Sequence, residues 1–196
     1  GDLNADGVSD IAVACWGESN LALLYGSGDG SFLPAEFVYS GGDNPHGLIV
    51  ADLNGDGALD IAVAALGSSR AGVLLSTEGG GFAEAQTYPT GSSPHSIKVH
   101  DLDGDGFPDL VTPNQASNDV SVLINQGDGT FVSSRYPAGW MPKDVAIGDL
   151  DEDGYPDIVT ADIHDNYPDG VNDTDIAVLY GRGDGTFTQP TAYSVE

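Results

Sequence analysis

The chain has 196 residues, of which 31 are acidic and 5 are Lys or Arg, and its net charge of -26 rules against nucleic acid or an anionic membrane surface as partner. A hydrophobic content of 40% is enough for a packed interior, so the charge does not signal disorder. One cysteine, Cys15, excludes an internal disulfide framework, and this segment shows neither a signal peptide nor an apolar stretch long enough to cross a bilayer.

The chain opens on an acidic loop, Asp2, Asn4, Asp6, Gly7, Val8 and Asp10, followed by an apolar run whose last residue, Cys15, reads as a small core residue. The pattern D-x-[DN]-x-D-G-x-x-D returns at Asp52, Asp101 and Asp149, every 48 to 50 residues. The second copy places Asp52, Asn54, Asp56 and Asp60; the third Asp101, Asp103, Asp105 and Asp109; the fourth Asp149, Asp151, Asp153 and Asp157. Side-chain oxygens at alternating positions of a tight loop converge on one point, as a hard divalent cation with six to eight oxygen ligands requires. Gly7, Gly57, Gly106 and Gly154 allow the sharp turn at the sixth position. The carbonyls of Val8, Ala58, Phe107 and Tyr155 then fall where a backbone ligand is expected, and the ninth-position aspartate completes the cage. No Cys or His belongs to the set, which disfavours zinc.

An EF-hand would continue with Glu at position 12 and a helix. Here Val13, Val63, Thr112 and Thr160 fill that position and a β-run follows. The expected ion is Ca²⁺, about four in all, one per loop. Fourteen acids belong to the loops, so four ions would reduce the charge from -26 to about -18 and relieve a repulsion that opposes folding. The metal is thus expected to be structural.

Each repeat carries four short apolar runs. In the second they are Gly47–Ala51, Asp60–Leu66, Ala71–Ser76 and Phe82–Tyr88, with no helical period. Four antiparallel strands per unit of about 50 residues make one propeller blade. The expected fold is therefore all-β, a β-propeller of four-stranded antiparallel blades, with repeat units at about 1–44, 45–93, 94–141 and 142–196. Between the third and fourth runs lies a second signature, Gly28-Asp29-Gly30-Ser31-Phe32, Gly127-Asp128-Gly129-Thr130-Phe131 and Gly183-Asp184-Gly185-Thr186-Phe187; the second repeat keeps Gly80 and Phe82 but has Gly79 for the aspartate. Asp-Gly between strands favours a tight hairpin, and the Phe can pack between blades. Arg182-Gly183-Asp184 is the local version of this hairpin and not an adhesion motif.

Over essentially its whole length the chain resembles the FG-GAP/VCBS repeat family, whose calcium-loop blades also build the integrin α-subunit propeller and some fungal lectins. The resemblance implies a calcium-stabilised, extracellular, secreted or cell-surface module that recognises carbohydrate or protein in adhesion. The same blade occurs in parts of secreted polysaccharide lyases and hydrolases and in structural spacers or fibre subunits, which are the alternatives. No Ser/His/Asp ordering, nucleophile elbow or phosphate-cradling glycine loop points to an enzyme. Propellers of this family commonly have seven blades, and the first repeat lacks the strand before its loop. A segment of a larger propeller is the first expectation, with a four-bladed ring or self-association through the ends as alternatives.

Antiparallel order puts the acidic loops and the Gly-Asp-Gly hairpins at one end of the blades, and the strand 2–3 and inter-blade links at the other. By resemblance to the integrin propeller the link end is the binding face. Its candidates are Trp16; His46, His95 and Lys143, which follow Pro45, Pro94 and Pro142 and would ring the channel mouth, suiting an anionic ligand; Trp140, an aromatic anchor; and Tyr167 in the lengthened link 162–174. Repeat-consensus turns, a blade-capping Trp and a solvated loop are the bland alternatives for these residues.

Overall fold

The computed structural model describes residues 1–162 and 176–194. Strands account for all regular secondary structure among the described residues, in sheets joined only by antiparallel pairs. The first repeat gives β1 (Ile11–Ala14), β2 (Asn20–Leu24) and β3 (Glu36–Tyr39), a three-stranded sheet. The second gives β4 (Pro45–Ala51), β5 (Asp60–Ala65), β6 (Arg70–Leu74), a ribbon of β7 (Ser76–Thr77) and β8 (Gly81–Phe82), and β9 (Gln86–Pro89). The third contains β10 (Lys98–His100), β11 (Asp109–Asn114), β12 (Asp119–Asn125) and β13 (Phe131–Pro137). The fourth contains β14 (Asp144–Gly148), β15 (Asp157–Ala161), β16 (Ile176–Leu179) and β17 (Thr191–Tyr193). Each of the last three repeats pairs its long strands in sequence order, the topology of a propeller blade.

Burial explains the strand composition. β5 and β11 are central strands buried on both faces; β5 after Asp60 reads as a continuous apolar run, whereas β11 buries Thr112 and Asn114 beside Leu110 and Val111. Layers of Leu, Ile and Val from neighbouring blades fill the space between sheets: Leu21, Leu23, Ile61, Val63 and Leu74 between the first and second, Leu53, Ala62, Leu110 and Leu123 between the second and third. Each such side chain stabilises the fold by about 1.5–3 kcal/mol relative to exposure.

The hairpin glycines fix how one blade seats on the next. A Cβ at Gly80 would lie 3.0 Å from the Asn4 Cβ, one at Gly129 3.3 Å from the Asn54 Cβ, and one at Gly185 3.6 Å from the Asp103 Cβ. The hairpin of each of the last three blades thus rests against the third loop position of the blade before it. Aromatic rings repeat the same relation: Phe131 meets Tyr88 edge-on at 5.5 Å, and Phe187 meets Tyr136 edge-on at 5.5 Å. The inter-blade role expected for the hairpin Phe holds for these two. In the first blade Phe32 is 43% exposed and nothing lies within 4 Å of a Cβ on Gly30.

Some strand boundaries differ from the sequence reading. Phe82 belongs to the ribbon, and the fourth strand of the second blade begins only at Gln86, because the Gly79–Gly81 turn closes its own short ladder. The first strand of that blade extends back to Pro45 through a register shift between Pro45 and Gly47. Cys15 lies just beyond β1 and is only partly buried, with its Sγ 3.8 Å from the Val13 carbonyl oxygen, so it is not a core residue. The thiol lies at the end of β1, the edge strand of the first sheet.

Candidate functional site

The acidic loops connect the first two strands of a blade, and hydrogen bonds explain their shape. The Asp2 carboxylate accepts from the Asp6 and Gly7 amides at 3.1 and 2.9 Å, and Asp6 accepts from the Val8 amide at 2.8 Å. The bonds from the sixth- and seventh-position amides recur at Asp52 and Asp56, at Asp101 and Asp105, and at Asp149 and Asp153. Left-handed backbone occurs at the sixth position, as Gly7 to Gly154 predict, and also at the fourth, where Ala5 (φ 58) and Glu152 (φ 62) adopt it without being glycine. Non-glycine residues rarely adopt that conformation, so the hydrogen-bonded loop around them holds it in place.

The ninth-position aspartates have a duty that sequence spacing does not reveal. Asp10, Asp60, Asp109 and Asp157 are buried. Asp60 accepts the Leu53 amide at 2.8 Å with one oxygen and the Ser76 amide at 2.7 Å with the other. Asp10 spans Leu3 and Gly26, Asp109 spans Leu102 and Asn125, and Asp157 spans Leu150 and Gly181 in the same way. Each carboxylate therefore staples its loop to the start of the strand 3–4 connection. Every oxygen retains a second lone pair for a cation.

The donor chemistry fits a hard divalent ion. Carboxylate oxygens of Asp101, Asp103 and Asp109 lie within 4.8 Å of one another, as do those of Asp149, Asp151 and Asp153. Burial, followed by the charges of Asp105 and Asp101, raises the Asp103 pKa; the Asp151 pKa is raised by desolvation and then by Asp153, Asp157 and Asp149. Burial pushes Asp109 up to about 6 against the hydrogen bonds from Asn125 and Leu102. A divalent cation opposes these effects by stabilising the ionised carboxylates. In the first two loops Asn4 and Asn54 replace the third-position acid, and their side-chain amides donate to Asp6 and Asp56 at 2.9 Å.

At the opposite end the inter-blade links are pinned to the strand 2–3 links. Gln115 and Ala116 donate their amides to the Ser93 and Ser92 carbonyls at 3.0 Å, and Met141 donates its amide to the Asn118 side chain at 2.9 Å. Asn44, Ser93 and Met141, equivalent in the repeat, all have left-handed backbone (φ 50, 59 and 50). The next two residues are therefore delivered alike: Pro45-His46, Pro94-His95 and Pro142-Lys143.

The structure brings three of the expected ligand residues together. Trp16 meets His46 edge-on at 5.3 Å, and His46 lies 4.0 Å from His95, between ring centroids. Lys143 is close enough for its charge to act on His95. Trp140 is separate, 38% exposed, between a recess of about 360 Å³ with Ser93, Gln115 and Asn118 on its wall and one of about 210 Å³ reaching Ala177 and Ala192. Tyr167 lies outside the described residues. Asp184 is engaged in its turn, accepting the Thr186 amide at 3.0 Å and hydroxyl at 2.6 Å, as Asp29 and Asp128 do with Ser31 and Thr130.

Comparison with known proteins agrees with this architecture. One similar solved structure is an Agrocybe aegerita lectin described as recognising non-reducing terminal N-acetylglucosamine, 26% identical, covering 97% of this chain and 50% of the lectin at a TM-score of 0.55. Another is BBS1N in complex with ARL6DN, 17% identical, covering 100% of this chain and 55% of the other at a TM-score of 0.61, a likeness of fold alone. This chain thus spans about half the length of the structures it matches. No curated protein matched it by sequence. The FG-GAP-like repeat matches at residues 2–63, 55–112 and 101–160, which together take in all four acidic loops, and the chain belongs to that family.

Proposed function

We propose that this chain is a calcium-stabilised, extracellular recognition module that binds carbohydrate through the link end of its blades. The ions would be held, one per loop, by the side chains at positions 1, 3, 5 and 9 and the seventh-position carbonyl. Calcium there supplies charge neutralisation and cross-links each loop. Millimolar calcium outside cells suits weak modular sites of this type.

The observation that carries the binding reading is Trp140. Its partly exposed side chain stands between two recesses whose lining includes Gln115, Asn118 and Ser93. An aromatic side chain beside amide- and hydroxyl-bearing residues is the chemistry that receives a sugar. The lectin similarity favours carbohydrate and makes glycans ending in N-acetylglucosamine the first ligands to test. Glycan-array binding in calcium, repeated with Trp140→Ala, is the decisive experiment. Loss of binding with an unchanged melting curve supports the reading. Binding that survives Trp140→Ala but disappears on changing Asp184 would move the active surface to the acidic-loop end.

A further inference from the structure

The contact between His46 and His95 fixes more than position. His46 Nδ1 lies 2.9 Å from the His95 backbone oxygen. A carbonyl only accepts, so Nδ1 carries the hydrogen and the neutral ring keeps a bare lone pair on Nε2. One blade further on, the Lys143 backbone is near enough to the His95 ring to favour its protonated form. Neutral His46 therefore offers an acceptor at Nε2. Protonation turns that nitrogen into a donor and makes the ring cationic.

Two charged rings with centroids 4.0 Å apart, within reach of the Lys143 charge, repel one another. Burial, then His46, then Lys143 hold the His95 pKa below the ordinary value, and Asp144 opposes them. Asp144 is itself paired with Lys98 at 3.2 Å, and Asp43, on the link before His46, accepts the Ser19 hydroxyl at 2.7 Å. On the strands packed against β4, Asp60 and His100 lie at the acidic-loop end: Asp60 pairs with Ala51, and His100 pairs with Asp109. Among the described residues no ion pair engages Lys143. An anion bound beside the two touching rings would offset the repulsion that otherwise discourages protonation.

We propose that His46, His95 and Lys143, flanked by exposed Trp16, form a proton-gated site for a carboxylate-bearing ligand, which binds when the imidazoles are charged. Proton uptake and anion binding then reinforce each other, as linkage requires. Trp16 supplies an apolar edge against which the body of the ligand rests. His46, His95 and Lys143 do not line the two recesses beside Trp140, and a neutral sugar satisfies none of their charge.

The test is NMR titration of the His46 and His95 ring protons in the full chain with calcium present, using glucuronate, acetate and glucose as probes. Glucuronate should raise both midpoints, and above the titration range its binding should weaken by about tenfold per pH unit for each imidazole that must be charged. Acetate should do the same more weakly if Trp16 contributes, and glucose should do nothing. His46→Gln, which keeps a donor toward the His95 carbonyl, and Lys143→Gln should each lower glucuronate affinity at about pH 5.5 without changing the melting curve. Equal binding of glucose, pH-independent binding of glucuronate, or unchanged affinity in both variants would overturn the proposal.

Discussion

Asp60 and Asp56 belong to one loop but should respond differently to removal of calcium. Asp60→Ala deletes both acceptors of a buried staple, leaving the Leu53 and Ser76 amides without partners. At about 1–3 kcal/mol per stranded donor the loss is about 2–6 kcal/mol, a large part of the roughly 5–15 kcal/mol that a domain has. This loss needs no metal. An ion at a hundred times its dissociation constant adds about 2.7 kcal/mol to the folded state, and Asp60→Ala forfeits much of that as well. Asp56 is exposed, and its bonds to the Ala58 amide and the Asn54 side chain can pass to water. Urea unfolding with calcium and with excess chelator separates the two roles. Asp60→Ala should be destabilised in both conditions, whereas Asp56→Ala should be destabilised in calcium and nearly indistinguishable from the parent in chelator. Equal behaviour of the variants in chelator would refute the staple, and a parent unaffected by chelator would refute calcium at the loops.

Phe131→Ala should cost about 3–5 kcal/mol because the ring is buried against Tyr88, while Phe32→Ala, at the equivalent but exposed position, should cost about 1 kcal/mol or less, as read from urea midpoints. Gly72→Ala should destabilise strongly, since a Cβ there would collide with the Ser40 carbonyl of the first blade; circular dichroism melting checks this. In chelated protein the Asp109 carboxyl should titrate near 6 by carbon NMR. The folded form then holds that proton more tightly than the unfolded chain, so this group's contribution favours folding at low pH and is lost as pH rises through about 6. Calcium competes with the proton, so affinity at the third loop should fall below that pH. A carboxyl titrating in the ordinary range would remove the argument. For the recess, Trp140→Ala should weaken glycan binding by about thirtyfold, or 2 kcal/mol, by calorimetry, with stability unchanged.

Local chemistry made much of this molecule legible from its residues. An acidic loop of nine residues is closed by its own hydrogen bonds, so Asp2 to Asp10 and their three copies announce loop geometry, a clustered set of oxygen donors and repeat length without reference to the rest of the chain. Short apolar runs between such loops imply stacked antiparallel sheets, and antiparallel order separates the loop end from the link end. Long-range contacts decided the rest. The second oxygen of Asp60 meets Ser76 sixteen residues away, and nothing in the spacing foretells that bond. Phe82 and Phe131 follow similar hairpins, but one joins a ribbon and the other a buried edge-on pair. Spacing aligns His46, His95 and Lys143 as repeat equivalents; only the stacking of one blade on the next places one imidazole on another and gives its Nδ1 hydrogen to a neighbouring backbone carbonyl.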